Sequence, residues 1–392
     1  MKRLIIECGV AETCAALLVD DQVWKFWFGS ARGDEALDNF PRAGRRFAGR
    51  VKTVDKSLNA AFVDLGPKTT GGADAFLALK KNNEAHCIDG ALVEVEIKAP
   101  PRQSKGAALR FIAPLKEGMP GRLPPVADAV VEAAQIIGEA ADEILVDDGA
   151  ALRALQAAGF ENVRHESHPV SLFAKFNADQ DFDAAFDRIV SLQGGGRLVI
   201  DEAQALTAID VDTGGLSASS PARLREKIAF AAAGEAMRQI SLRNIGGHIV
   251  IDFPDIPGDA GRKRFQEHLR KMIVRLDGAG AASFSRSGLY SFTAPHQALS
   301  LLDRFTEEDA AAPVAGRRFT LEAGAKMAVA ALERRLRSAP AAHFRLFTGA
   351  ALAGYLSEND IWCARLTDRY GPRFDILTDD KTGDRSFDLT EQ

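Results

Sequence analysis

The sequence predicts an α+β protein with several domains. Its 392 residues are enough for two to four domains. Short strands with Gly and Pro breaks fill the first third of the chain, whereas helices alternate with strands further on. Apolar residues make up 46% of the chain and charged residues 26%, which is typical of an ordered globular protein.

Strands dominate the first part of the chain. Between residues 46 and 111 they are short and regularly spaced, with turn residues between them, which is typical of a small β-barrel. Residues 116–125 contain two Gly and three Pro, and this change in composition predicts a linker and a domain boundary. Paired strands are predicted before the barrel, at residues 4–9, 13–19 and 23–28.

Helices and strands alternate after the linker, as the spacing of apolar residues indicates. The predicted helices are residues 126–140, 149–158, 181–192, 221–242, 262–276, 321–337 and 349–357. The predicted strands are residues 143–148, 197–201, 205–212, 248–253 and 281–293, with a turn at 202–204. Residues from about 318 to the end predict a separate small domain.

The net charge of −5 argues mildly against nucleic-acid binding, because phosphate contacts require Lys and Arg. Two basic clusters weaken this objection, since an acidic protein can still present a basic face. Each cluster fits a solvated surface equally well. The clusters are Arg42, Arg45, Arg46, Arg50, Lys52 and Lys56, and Arg262, Lys263, Arg264, Arg270, Lys271 and Arg275.

The four cysteines do not form a C-x-x-C pair, so neither a zinc knuckle nor a disulfide framework is indicated. We therefore expect them to be reduced and the protein to be cytoplasmic. They are Cys8, Cys14, Cys87 and Cys363. The sequence also has no run of 18 apolar residues, so we expect no membrane span.

Carboxylates follow two apolar strands. In LTAIDVDTGG, Asp210 and Asp212 are two residues apart and share one face of a strand, and in HIVIDFPD a second strand runs into Asp252, with Asp255 just beyond. The helix between these strands lets them run parallel, with their carboxyl ends together. Gathered carboxylates favour Mg²⁺. The spacing alone fits turn formers, a phosphatase or a nucleotidyltransferase equally well.

Two aromatic residues are predicted on the outside of the barrel. In AAFVDLG, Phe62 alternates with the apolar positions, and Phe76 lies in DAFLAL. Exposed rings flanked by Arg and Lys suit base stacking, which contributes about 1–3 kcal/mol per base. Phe76 fits the barrel core equally well. Arg102 and Lys105, in RQSKGAAL, fit phosphate contacts or ordinary surface charges.

Taken together, these segments resemble the ribonuclease E/G family. GRVKTVDKSLNAAFVDLG with AFLAL resembles the family's RNA-binding barrel, and SKGAAL its basic motif. GGGRLVIDEAQALTAIDVDTG and LRNIGGHIVIDFPDI are similar to its two metal-bearing strands, and SRSGLYSF to the segment after them. The resemblance runs with gaps from residue 1 to about 293, and the order of residues within the strand motifs makes it specific.

The resemblance implies a set of domains. It predicts an RNase H-like domain (residues 1–40 and 126–193) interrupted by an OB-fold β-barrel (41–112). A linker, residues 113–125, stands where larger members carry a module that senses a 5′ monophosphate. A DNase I-like α/β catalytic domain (194–310) and a small C-terminal α/β domain (318–392) complete the chain.

The resemblance also implies roles for individual residues. Asp210 and Asp252 are implied as Mg²⁺ ligands, with Mn²⁺ as a substitute ion. Asp212 stands where the family usually has Asn. It is implied as a catalytic residue that either binds the ion or orients Asp210. Phe62, Phe76, Arg102 and Lys105 are implied as RNA contacts.

We therefore expect a Mg²⁺-dependent endoribonuclease that hydrolyses single-stranded, AU-rich RNA without sensing the 5′ end. The missing C-x-x-C zinc link predicts no zinc and a monomer or homodimer in place of a zinc-linked tetramer. TAPH replaces basic residues that follow SRSGL in larger members. We expect neither DNA nor a membrane as a partner. The alternatives are a non-catalytic RNA-binding protein with the family fold, and a metal-dependent phosphatase.

Overall fold

The structure is a computed structural model that describes residues 1–35, 40–66, 73–102, 105–124, 127–138, 140–214, 221–309 and 316–392. The end of the predicted linker, at residue 125, and Ser104 of the basic motif lie outside the described residues. The chain forms two compact units. One comprises residues Met1–Asn39, Leu123–Asp181 and Leu302–Gln392, and the other Phe40–Arg122 and Phe182–Leu301.

Strands and helices are both abundant, which confirms the predicted α+β class. The strands are β1 (Lys2–Cys8), β2 (Glu12–Val19), β3 (Gln22–Ser30), β4 (Arg46–Asp55), β5 (Ala60–Asp64), β6 (Ala75–Ala78), β7 (Leu92–Ala99), β8 (Ala108–Leu115), β9 (Gly121–Arg122), β10 (Glu143–Val146), β11 (Val163–His165), β12 (Ile189–Ser191), β13 (Arg197–Glu202), β14 (Thr207–Asp212), β15 (Gly247–Asp252), β16 (Ser283–Phe284), β17 (Tyr290–Ala294), β18 (Thr306–Glu308), β19 (Arg317–Phe319), β20 (Phe344–Thr348), β21 (Phe374–Thr378) and β22 (Phe387–Glu391). The helices are α1 (Ala129–Ile137), α2 (Gly149–Ala157), α3 (Leu172–Lys175), α4 (Ala178–Ala184), α5 (Pro221–Leu242), α6 (Asp259–Ile273), α7 (Leu301–Phe305), α8 (Leu321–Ser338), α9 (Ala350–Glu358) and α10 (Ile361–Tyr370).

The first unit contains a five-stranded sheet in the order β11-β10-β1-β2-β3. Strands β1, β2 and β3 form an antiparallel meander, and β10 and β11 run parallel to β1. Helices α1 and α2 supply the crossovers, and the side chains of Asp128 and Asp148 cap them by accepting backbone N–H groups. Leu4 and Ile6 pack with residues of both helices in one buried core.

The last segment of the first unit, Leu302–Gln392, has an apolar core that includes residues between β1 and β2. Strand β20 lies between β21 and β22, and α8 and α9 pack with this sheet. Val10 and Ala11 belong to the same apolar cluster as the buried residues of α8. The Glu333 carboxylate accepts the Val10 N–H at 3.0 Å, so this buried charge is hydrogen-bonded.

The second unit begins with a closed barrel. Its strands follow the order β5-β6-β8-β7-β4, and β4 also pairs with β5, which closes the ring. Only β6 and β8 run parallel among these described pairs. Alternating residues fill the interior, as Val93, Val95 and Ile97 of β7 show. The closed ring leaves alternate side chains of β5 and β6 on the outside.

Gly106 lets the chain pass tightly beside β6, because a Cβ at this position would overlap the backbone carbonyl of Asp74. We expect Gly106→Ala to lower the free energy of unfolding by about 2–3 kcal/mol, as backbone must move to admit the methyl group. Gly121→Ala in the same barrel meets open space and is the matched control. Urea unfolding curves measure both, and equal stabilities for the two variants would contradict the close approach.

The second unit also contains a six-stranded sheet in the order β12-β13-β14-β15-β17-β16. Helix α5 connects β14 to the parallel strand β15, as the sequence predicts. Residues of α5 and α6 form one core with Ile209, Val211, Ile249 and Ile251. Since side chains alternate along a strand, the other residues of β14 and β15 project from the opposite face.

Two predicted elements in this unit are wrong. Residues 181–192 were predicted as a helix, but α4 ends at Ala184 and residues Ile189–Ser191 form β12, which pairs with β13. Residues 281–293 were predicted as one strand, but they contain β16, a turn and β17. Local apolar spacing does not distinguish these cases, because the strand pairing is tertiary. No helix within the described residues has both the length and the apolar content that crossing a membrane requires.

Candidate metal and RNA site

Strands β14 and β15 bring Asp210 and Asp252 side by side. The two residues are Cα partners in the parallel register. Neighbouring strands lie about 4.8 Å apart, and residues in register project to the same face. Along β14, Ile209 and Val211 are buried and Asp210 is exposed, and Asp252 is exposed at the end of β15. Both carboxylates therefore project from the sheet face opposite α5 and α6.

Within the described residues, nothing pairs with these two carboxylates. Neither the Asp210 side chain nor the Asp252 side chain makes a hydrogen bond or an ion pair with any residue that the structure describes. Across the same residues, no group of three or more His, Cys, Asp or Glu side chains is placed to hold a metal. Two carboxylates suit Mg²⁺, which keeps several waters and shares phosphate oxygens, better than a metal that needs a closed protein site.

Asp212 lies further along the same face, but its two oxygens are already engaged. Oδ2 accepts hydrogen bonds from Arg197, at 2.7 Å from Nη2 and 2.9 Å from Nε. Oδ1 accepts the backbone N–H of Gly214 at 2.8 Å. The Gly214 N–H and then Arg197 lower the pKa of Asp212 below its usual value. Asp255 lies in the loop after β15, exposed and 3.9 Å from Arg262.

Phe62 and Phe76 form a pair on the outside of the barrel. They are cross-strand partners on β5 and β6, and their ring centroids are 6.2 Å apart with the planes at 76°. Phe76 is 39% exposed, and Phe62 is partly exposed while its neighbours Ala61 and Val63 are buried. Lys52 of the adjacent strand β4 pairs with Asp74 at 3.0 Å. Both rings are therefore accessible beside a basic residue.

Arg102 connects the barrel to the sheet that carries the carboxylates. Its Nη1 lies 3.0 Å from Nδ1 of His296, just after β17. A guanidinium only donates, so the Nδ1 atom accepts and the imidazole proton sits on Nε2. Burial and then Arg102 and Lys105 lower the pKa of His296 to about 4. Lys105, which pairs with Arg102 through a backbone bridge, is exposed.

Two glycines make room for this histidine. A Cβ at Gly246 would overlap the His296 ring, and a Cβ at Gly247 would lie 3.0 Å from its Nε2. Gly247 has a φ of +92°, which other residues rarely adopt, and it begins β15. The sequence singled out residues 293–296 only as a replacement for basic residues. Nothing in the local pattern indicates that His296 accepts a hydrogen bond from the barrel.

His296 makes stability depend on pH. Its pKa is lower in the folded protein than the ordinary value of 6.5, so the unfolded chain binds more protons between about pH 6.5 and 4. The stability present above pH 6.5 is therefore lost as the pH falls toward 4. His296→Gln keeps an oxygen acceptor for Arg102 but does not titrate.

Urea unfolding at pH 7 and pH 5 tests this prediction. We expect a smaller loss of stability on acidification in His296→Gln than in the unsubstituted protein. The same substitution at His248, an exposed residue of β15, is the matched control. An equal loss in His296→Gln and the unsubstituted protein would show that the histidine is not held as a neutral acceptor.

The two basic clusters are not continuous RNA-binding faces around the carboxylates. Arg42 and Arg45 are each only 7% exposed, and Arg45 donates to the Phe40 carbonyl at 3.0 Å. Apart from Arg275, the second cluster lies on α6, whose Phe265 and Leu269 pack into the core on the face opposite the carboxylates.

Comparison with known proteins identifies the segment that holds the carboxylates. Residues 127–293 match the model of the Ribonuclease E/G family. This segment of the chain is similar to the ribonuclease E/G family. The matched range includes Asp210, Asp212 and Asp252, whereas Phe62 and Phe76 of the barrel lie before it.

Several curated proteins named ribonuclease E or ribonuclease G match the chain over a shorter stretch. Ribonuclease E of Buchnera aphidicola subsp. Acyrthosiphon pisum is 34% identical over 138 residues, which are 34% of this chain and 15% of the relative. Ribonuclease E of Escherichia coli is 36% identical over 126 residues, 31% of this chain and 12% of the relative. Ribonuclease G of Escherichia coli is 31% identical over 117 residues, 29% of this chain and 23% of the relative. Each match thus spans less than a quarter of the relative's own length.

Proposed function

We propose that this protein is a Mg²⁺-dependent endoribonuclease that hydrolyses single-stranded RNA. One observation carries the proposal. Two exposed carboxylates, Asp210 and Asp252, lie in register on adjacent parallel strands without a partner among the described residues. They lie in the segment that matches the ribonuclease E/G family, and the relatives are named ribonucleases. The mutual repulsion of the two charges favours a bound cation.

Each part of the second unit has a role in this proposal. Asp210 and Asp252 hold the ion, and Phe62 and Phe76 stack RNA bases, which needs no particular sequence. Lys105 supplies a phosphate contact. A bound Mg²⁺ would supply Lewis-acid chemistry at this place, since it would lower the pKa of a water and offset charge on the phosphodiester. Water adds to phosphorus as the bond to the 3′ oxygen breaks, which leaves 5′-phosphate and 3′-hydroxyl ends.

Arg102 has a second role in this proposal beside the RNA contact that the resemblance implies. Its contact with His296 holds the loop between β7 and β8 on the sheet that carries Asp252. We propose that Arg102 orients the barrel and also contacts RNA.

The domain assignment is part of the same proposal. The closed barrel with one parallel pair supports an OB-fold, in which the face of the second and third strands binds nucleic acid. These strands are β5 and β6, which carry the two phenylalanines. We further propose that the sheet containing β1 and β10 is RNase H-like and that the sheet containing β14 and β15 is DNase I-like.

The absence of 5′-end sensing is proposed from the connection after the barrel. Among the described residues between β8 and α1, only the two-residue strand β9 forms, which supports the proposal that no sensing module lies there. We propose a preference for AU-rich RNA on the resemblance alone. We likewise propose Mn²⁺ as a substitute ion, no use of zinc, and a monomer or homodimer.

Cleavage of a labelled RNA tests the proposal. An internally AU-rich single strand, labelled at its 3′ end, is incubated with Mg²⁺, with Mn²⁺ or with EDTA, and carries either a 5′ monophosphate or a 5′ hydroxyl. We expect cleavage with either ion, none with EDTA, and equal rates for the two 5′ ends. Tight RNA binding without cleavage would favour the non-catalytic RNA-binding alternative. Cleavage in EDTA would contradict the metal site.

A further inference from the structure

An ion pair joins the two strands of the β13–β14 hairpin, which carries Asp210. Arg197 of β13 and Asp212 of β14 are Cα partners, and their side chains meet at 2.7 Å on the exposed sheet face. The guanidinium donates through two nitrogens, Nε and Nη2, to the same oxygen, Oδ2. The other oxygen of Asp212 is held by the Gly214 N–H.

The ion pair lies close to the proposed ligands, and it therefore affects the charge around the ion. Asp212 is two residues from Asp210 on the same face, which places their Cα atoms about 7 Å apart. Without Arg197, three carboxylates would project together from β14 and β15. A third negative charge would change both the affinity of the site for a divalent ion and the number of protein oxygens available to it.

We propose that Arg197 is a positioning residue that neutralises Asp212 and keeps it out of the metal site. This inference rests on the proposed function, since it concerns the ion held by Asp210 and Asp252. Together, Arg197 and Asp212 then act on the ion as a polar pair without net charge. The site keeps two charged oxygen ligands in place of three, and the remaining positions stay open to water and phosphate.

The charges predict the size of the effect. A unit charge about 7 Å from the ion, partly screened by water, changes its affinity roughly tenfold. Arg197→Gln leaves Asp212 charged and is expected to tighten binding of Mn²⁺ by about that factor. Asp212→Asn leaves Arg197 charged and is expected to weaken it by a similar factor. The double variant removes both charges, so its affinity is expected within about threefold of the original.

Binding of Mn²⁺ to the full chain, measured by electron paramagnetic resonance, tests this reciprocity. The four proteins are compared at one ionic strength, after thermal unfolding has shown that each is folded. Opposite shifts in the single variants with recovery in the double variant are the expected result. RNA cleavage by the same proteins is a second measurement.

Three other results would each overturn the proposal. Loss of binding in Asp212→Asn without recovery in the double variant would make Asp212 a ligand. Equal affinities in all four proteins would make the pair an ordinary surface ion pair. Both of these leave the proposed nuclease site standing. Absence of Mn²⁺ binding by the unsubstituted protein would instead remove the proposed function itself.

Discussion

Asp252→Asn should slow RNA cleavage by at least about a thousandfold while the protein stays folded. The substitution keeps the shape of the side chain but removes one of the two charges that face the proposed ion. Losing a charged metal ligand removes stabilisation from the transition state, so the loss should appear in kcat as well as in kcat/KM. The measurement is single-turnover cleavage of a labelled single-stranded RNA in saturating Mg²⁺.

Asp255→Asn is the matched control for this variant. Asp255 lies three residues after Asp252, beyond the end of β15. Its side chain is 88% exposed, and its Oδ1 atom lies 3.9 Å from Nη1 of Arg262. We expect cleavage within about threefold of the unsubstituted rate, since a surface charge of this kind contributes little. Equal losses in the Asp252 and Asp255 variants would remove the assignment of Asp252 as a ligand.

Replacing both barrel phenylalanines should weaken RNA binding by roughly 25-fold to 20,000-fold. Each ring is expected to stack on one base, and stacking contributes about 1–3 kcal/mol per base. Because Phe62 and Phe76 are edge-to-face partners, removal of one ring also changes the packing of the other. The double variant is therefore the direct test. Fluorescence anisotropy of a labelled single strand, in EDTA to prevent cleavage, gives the affinity.

Leu58→Ala on the same barrel separates stacking from general apolar contact. Leu58 is 58% exposed and has no aromatic face. We expect its loss to change RNA affinity by less than about threefold. If Leu58→Ala weakens binding as much as the double phenylalanine variant, the barrel does not use its aromatic pair for stacking.

The arrangement of the two carboxylates was predictable because it follows from local patterns. The apolar strand ending at Asp252 and the long helix Pro221–Leu242 are visible in the sequence, and a helical crossover makes the flanking strands parallel. Alternation along β14 then places Asp210 opposite the buried face. The register that aligns Asp210 with Asp252 is consistent with these constraints, although the sequence alone does not set it.

The turn that the sequence suggests gives a strand register in which Arg197 and Asp212 do not pair. A turn at residues 202–204 would place Arg197 opposite Ile209. The structure instead pairs Glu202 with Thr207, and the Ala203 N–H bonds to the Leu206 carbonyl, so Arg197 faces Asp212. A small shift in a hairpin changes every cross-strand pair. Both charged residues are visible in the sequence, but the turn residues do not determine which residues of the two strands pair.

Contacts between distant segments account for the remaining differences. His296 receives its partner from a loop nearly two hundred positions earlier, and Gly246 is required by the ring and not by a turn. Arg42 and Arg45 belong to a basic run in the sequence, yet both are buried in the structure. Composition records charge without saying which side chains reach solvent.

The most direct test of a shared metal site is a crystal structure of the full chain soaked in Mn²⁺, with anomalous scattering used to locate the ion. We predict one peak with an Asp210 oxygen and an Asp252 oxygen each about 2–2.3 Å away, and with Asp212 still bound to Arg197. An ion held elsewhere, or two carboxylates turned to different sides of the sheet, would contradict the proposed nuclease site.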